Sequence, residues 1–312
     1  MWMMRQAGRY LPSYQALRRW NTLEKMFYSP ALIEEVTCLP VDELGVDAAI
    51  LFADILHVAL PLGIEVGFPK QGGPVTYPKI TCSRDIDSLQ AQPVKETLSF
   101  VAEGIKRLKQ RLTTPLIGFC GGPLTVAYFL TGKKVKRWIY ADPDGLHTLL
   151  ERITQATILY LKLQQEAGVD VFQVFESRAD ALSSEQFSLF AAPYLERIIR
   201  AAAPTPTILF CRGSSLFLDE LIQLRPQALG LDALTCLPSV RAKVAPLVAL
   251  QGNVDPELLH APPPTITRQV TALLEQMADD PGFIVNLGHG ILPDTPMENV
   301  HALLSAVKTF SL

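Results

Sequence analysis

Arg5-Gln6-Ala7-Gly8-Arg9 places two guanidinium groups within five residues, around a glycine. A guanidinium stays charged in a protein and meets a carboxylate or phosphate in a two-pronged geometry, so the pair reads as a clamp for an anionic ligand. The same pair on a surface loop would simply be solvated, as most arginines are. Asp54 lies between Ile50-Leu51-Phe52-Ala53 and Ile55-Leu56. A carboxylate in so apolar a stretch is costly unless N–H donors reach it; those donors are either backbone amides or N–H groups of a ligand. His289 stands between Gly288 and Gly290, which leave room for a ligand; the alternative is a ring satisfied by a neighbouring loop. Ser177 lacks a G-x-S-x-G setting, so it reads as a hydrogen-bonding group for substrate and not as a nucleophile. There is no H-x-x-x-H or H-E-x-x-H pattern. Cys38, Cys82, Cys120, Cys211 and Cys236 include no C-x-x-C pair, so no metal site is expected, and they read as reduced thiols of a cytoplasmic protein.

Eight short apolar runs must position these residues: Trp2–Met4, Ala48–Phe52, Leu116–Phe119, Val169–Val174, Thr207–Phe210, Ala228–Leu231, Leu247–Leu250 and Phe283–Leu287. Most lack polar alternation, as strands buried on both faces of a parallel sheet do. Helical patterns lie between them at 30–44, 97–112, 144–167, 184–203 and 264–278, several opening on Ser, Thr, Asp or Pro. Gly45 and Gly168 fall where helices end. The pattern predicts an α/β fold, one (β/α)8 TIM barrel spanning 1–312 as a single domain. A doubly wound open sheet is the alternative, but no G-x-G-x-x-G follows the first run. Pro61–Pro78, rich in Gly and Pro, reads as an irregular loop.

In such a barrel the active site lies at the C-terminal ends of the strands. The first run is followed by Arg5 and Arg9, the second by Asp54, the third by Cys120-Gly121-Gly122-Pro123 with Tyr128 soon after, and the fourth by Glu176-Ser177-Arg178. Arg212-Gly213, Asp232, Asn253 and His289 follow the remaining four. Turns favour Gly and Asn in any case, so the Arg, Asp, Tyr, Ser and His residues carry the signal. The 312 residues are 48% hydrophobic with a net charge of −3, which suits a large core and excludes nucleic-acid binding by bulk charge. The most apolar stretch, 48–68, is broken by Asp54, His57, Pro61 and Glu65, against a membrane span. The opening residues lack the basic-then-apolar order of a signal peptide.

Together the motifs resemble the uroporphyrinogen decarboxylase family over essentially the whole chain. Trp2-Met3-Met4-Arg5-Gln6-Ala7-Gly8-Arg9-Tyr10-Leu11-Pro12 is similar to its N-terminal signature and Gly118-Phe119-Cys120-Gly121-Gly122-Pro123-Leu124-Thr125 to its second. Phe175-Glu176-Ser177, Leu250-Gln251-Gly252-Asn253-Val254-Asp255-Pro256 and Asn286-Leu287-Gly288-His289-Gly290 follow in family order. The resemblance implies a cofactor-free, cytoplasmic homodimer that removes the four acetate carboxylates of uroporphyrinogen III, giving coproporphyrinogen III and CO2 in haem biosynthesis. It also implies Arg5 and Arg9 on substrate carboxylates, Asp54 accepting from the pyrrole N–H groups, and Tyr128, Ser177 and His289 completing the polar contacts, with Asp54 and Arg5 as the catalytic pair. The Pro123–Tyr128 spacing is one residue shorter than the family's, and the alternative alignment puts Phe129 there. Arg178, Asp180, Arg212, Ser214, Ser215 and Ala233 depart from its usual residues, and its members usually carry further residues before the first signature. Two relatives make alternatives: a non-catalytic tetrapyrrole-binding protein, and a zinc-dependent corrinoid methyltransferase, whose His-x-Cys pair is absent before Cys211.

Overall fold

The computed structural model describes residues 1–69 and 73–310. Nine strands form within them: β1 (Ala49–Ile50), β2 (Glu65–Gly67), β3 (Val75–Tyr77), β4 (Leu116–Gly121), β5 (Val171–Glu176), β6 (Thr207–Cys211), β7 (Ala228–Gly230), β8 (Ala249–Val254) and β9 (Phe283–Leu287). Seven of them build one curled parallel sheet in the order β1-β4-β5-β6-β7-β8-β9, with registers such as Gly118 opposite Phe172 and Phe172 opposite Thr207. The barrel wall expected from the apolar runs is therefore present, with helices over it. The helix at Pro30–Leu44 ends on Gly45, whose φ of 60° closes the turn. The helix at Pro143–Ala167 opens on Asp142, which accepts from the Gly145 amide at 2.9 Å, and buries Leu146, Leu149, Leu150, Ile153 and Tyr160 along one stripe.

Four features of the fold differ from the expectation. Trp2–Met4 does not ladder as an eighth strand. It occupies the eighth place in the wall, between β9 and the lead into β1. Trp2 N–H donates to the Val285 carbonyl at 3.4 Å, and Met1 O accepts from the Asp47 amide at 2.9 Å. The Met4 amide is taken by the Asn286 side chain at 3.0 Å, and the backbone turns away at Arg5, where φ is 62°. A side-chain acceptor and a left-handed residue interrupt the ladder after two residues.

The helix expected over 184–203 is two, Ser184–Phe190 and Ala192–Ala202. Pro193 has no N–H to continue the first and starts the second. Pro61–Pro78 is not wholly irregular: β2 and β3 form an antiparallel hairpin preceded by the helical turn Ile55–Leu62, while residues 70–72 of that stretch lie outside the described residues. The fourth and seventh runs also shift toward their C-terminal ends, to Val171–Glu176 and Ala249–Val254; β8 continues through the buried Gln251, where the apolar run stops at Leu250, and β5 carries Gln173 into the same interior. Trp2 Nε1 donates to Gln251 Oε1 at 2.9 Å, and Gln251 Nε2 donates to Gln173 Oε1 at 3.2 Å. This chain of hydrogen bonds ties the N-terminal segment to strands across the barrel, and in the sequence it has the look of a break in the apolar pattern.

Candidate active site

The C-terminal ends of the strands surround a cavity of about 480 Å³. Arg5, Arg9, Asp54, Ser177 and His289 all line it, as do Arg178, Arg212, Thr125 and a set of aromatic rings that includes Phe52, Phe129, Phe175 and Phe210. Among the described residues, Asp54 is the only carboxylate in this lining, and it faces four guanidinium groups. The site is thus a cationic bowl with an apolar floor and one acid.

Asp54 caps the turn Ile55–Leu62. Its Oδ1 accepts from the Leu56 amide at 2.8 Å, and His57 Nδ1 reaches back to the Asp54 amide. A backbone amide therefore meets part of the need for donors. Burial raises the Asp54 carboxyl to about 6, against the opposing pull of the Leu56 amide and Arg5. His57, fully buried among Phe27, Tyr28 and Phe100, is pushed down to about 3 by that burial. It acts as a neutral orienting ring.

Arg5 lies among protein atoms but opens onto the cavity. Burial lowers its pKa, as do Arg178 and Arg9, while Asp54 raises it. Its side chain crosses directly over Gly290: a Cβ there would lie 2.3 Å from Arg5 Cδ and 2.8 Å from both Cγ and Nε. The Ile291 amide donates to Met4 O at 2.9 Å and holds the two loops together. Gly290 therefore acts on Arg5, a role that neither residue's sequence context reveals. His289 next to it packs edge-on against Phe210. Burial, with Arg5, Arg212 and Arg178 adding to it, drives the imidazole down to about 4.

Tyr128 is not part of the cavity surface; Phe129 is. The Arg178 guanidinium, which does line the cavity, is stacked 4.4 Å from the Tyr128 ring centroid. Arg178 and Arg212, which follow the fourth and fifth strands in the sequence and depart from the family's usual residues, both line the cavity. Glu176 carries no sequence signal of its own. It is fully buried at the end of β5, takes the Thr125 hydroxyl on Oε1 and leaves Oε2 without a hydrogen bond. Burial lifts it to about 7, opposed by the Thr125 hydroxyl and nearby amides. Thr125 Oγ1 in turn accepts from the Ser177 amide at 2.9 Å, so Glu176 fixes the loop that carries Ser177 and Arg178. Asp232 lies outside the cavity. It accepts from the Gly213 amide at 2.6 Å and from the Thr235 hydroxyl at 2.6 Å, a loop-locking role. Among the described residues no group of three His, Cys, Asp or Glu is placed to hold a metal ion.

The uroporphyrinogen decarboxylase (URO-D) family profile matches residues 1–310. A uroporphyrinogen decarboxylase of Protochlamydia amoebophila is 46% identical over 316 residues, covering 99% of this chain and 87% of its own length. One from Thermus thermophilus is 38% identical over 317 residues, covering 99% and 93%. Among solved structures, a methyltransferase from Methanosarcina mazei superposes with a TM-score of 0.79 at 24% identity, over 91% of this chain and 86% of the other, a likeness of fold. The profile match and these identities over nearly the full length show that the chain belongs to the uroporphyrinogen decarboxylase family.

Proposed function

We infer that the protein is a carboxy-lyase that converts uroporphyrinogen to coproporphyrinogen in haem biosynthesis, exchanging each acetate carboxylate for a proton. The observation that carries the site assignment is Asp54, the one carboxylate among the described residues of a lining that also holds Arg5, Arg9, Arg178 and Arg212. Uroporphyrinogen carries eight carboxylates around four inward N–H groups, and a ring of cations around one acceptor complements that pattern. Asp54 Oδ1 is partly engaged by Leu56, which aims the carboxylate while leaving it able to accept from pyrrole N–H groups.

Protonation of a pyrrole carbon next to nitrogen creates an iminium cation. The C–CO2 bond then breaks, its electron pair neutralises the iminium, and CO2 departs. The exocyclic methylene takes up a proton as the ring carbon returns one, leaving a methyl group. Asp54 is placed to stabilise the cation in a site where charges act strongly. Arg5 holds a substrate carboxylate and not the transferred proton, because guanidinium is too weak an acid. Ser177 and His289 supply further polar contacts, and Tyr128 supports Arg178. A cytoplasmic homodimer is the expected working form. The non-catalytic and corrinoid-methyltransferase readings have no feature of the cavity in their favour. Anaerobic incubation with uroporphyrinogen III, followed by chromatography of the oxidised products, tests the reading. Partly decarboxylated porphyrins and coproporphyrin support it, whereas unchanged substrate refutes it.

A further inference from the structure

Four guanidinium groups reach the cavity, but their surroundings differ. Arg212 Nε lies 3.1 Å from Asp180 Oδ2, so its charge is already met by a carboxylate of the protein. Arg178 has no carboxylate within ion-pair distance among the described residues. Its guanidinium lies over the Tyr128 ring at 4.4 Å and is 5.9 Å from the Phe129 centroid. An aromatic face orients a guanidinium and leaves its N–H edge free for a planar anion. Its backbone is fixed as well, because the loop leaving β5 is tied down through Glu176, Thr125 and the Ser177 amide. Arg178 is thus preorganised, charged and unpaired, and it sits well round the barrel from the Arg5–Arg9 segment, on the loop after β5.

We propose that Arg178 is a specificity-determining residue that holds a carboxylate of the substrate from the β5 side of the cavity, while Asp180 withholds Arg212 from that task. The assignment rests on the decarboxylase reading for the identity of the substrate. The carboxylate comes from either an acetate or a propionate arm, and the choice of ligand separates the two.

The test is equilibrium binding of uroporphyrin I, the unreactive oxidised macrocycle with eight carboxylates, followed by fluorescence. Coproporphyrin I, which keeps only the four propionates, is the second ligand. Arg178→Gln removes a two-pronged, charge-assisted pair of hydrogen bonds and weakens uroporphyrin binding about 10- to 100-fold. If the partner is an acetate, coproporphyrin binding stays within about twofold; if it is a propionate, both ligands weaken together. Adding Asp180→Asn to Arg178→Gln releases Arg212 and recovers part of the loss, a rescue that a merely structural role for Arg178 would not give. Arg178→Lys keeps the charge without the fork and loses at least about threefold; should the Gln variant not fold, this variant decides. Binding of uroporphyrin by both variants within twofold of the parent protein overturns the proposal. Turnover of uroporphyrinogen by the parent protein is measured separately, so failure of the decarboxylase reading and failure of the Arg178 assignment give different results.

Discussion

Gly290→Ala is the substitution whose effect the structure determines most sharply. The new Cβ would stand 2.3 Å from Arg5 Cδ, whereas carbon atoms in contact prefer about 3.5–4.0 Å. The Arg5 chain must therefore retreat by roughly 1 Å or more. It cannot do so by parting the loops, because Ile291 N–H holds Met4 O at 2.9 Å, nor by an easy change in backbone, because Arg5 is already in the left-handed region at φ 62°. The guanidinium has to leave its place. Gly290 itself has no positive φ, so alanine suits its backbone, and the loss of unfolded-state entropy stabilises the chain by about 0.4–1 kcal/mol against the local clash. The expected outcome is a fall in kcat/KM of about 100-fold, the cost of misplacing a binding group by an ångström, with a melting temperature within a few degrees of the parent. The effect should not add to that of Arg5→Ala, since both remove the same group. Anaerobic decarboxylation assays on the two single variants and the double variant give the numbers. A Gly290→Ala protein within threefold of the parent would refute the argument that this glycine holds Arg5 in place.

Asp54→Ala should lower kcat/KM by about 100-fold or more, the usual cost of removing a preorganised electrostatic group, with the fold intact. Asp232→Ala should instead cost ~1–3 kcal/mol of stability by orphaning the Gly213 amide and the Thr235 hydroxyl, with a smaller loss of activity; equal activity losses would contradict the assignment, and denaturant melts with turnover assays separate the two. Burial raises Asp54 to about 6, so kcat/KM of the free enzyme should rise with pH through about 6 as the carboxylate forms, and this acid limb should vanish in Asp54→Asn. The linkage runs the other way for stability. Between its unfolded value and about 6 the native state holds this proton more tightly, so its contribution falls as pH rises, and Asp54→Asn should melt higher than the parent at pH 7. A lower melting point there would contradict the burial argument.

The apolar strands are readable because a parallel strand covered on both faces has little choice but Val, Ile, Leu and Phe. Where β8 continues through the buried Gln251, the expected strand stops short at Leu250, since a polar residue that bonds across the barrel resembles the end of a strand. Five of the expected contact residues, Arg5, Arg9, Asp54, Ser177 and His289, are brought to one cavity by the single rule that strand ends converge. Arg178 and Arg212 are harder to assign because an arginine after a strand looks like any solvated arginine until its neighbours are known. Glu176 is harder still. A glutamate ending a strand gives no sign that it will be buried, and only the Thr125 hydroxyl and the bare α-carbon of Gly122, where a Cβ would meet Oε2 at 2.2 Å, show how it is accommodated.

Single-turnover decarboxylation of uroporphyrinogen III by the purified protein under anaerobic conditions, run beside Asp54→Asn, tests whether Asp54 carries the reaction. The parent protein should give coproporphyrinogen and four molecules of CO2 per substrate, and the variant should bind substrate without appreciable CO2 release. Release of CO2 at the same rate from both would refute that role for Asp54.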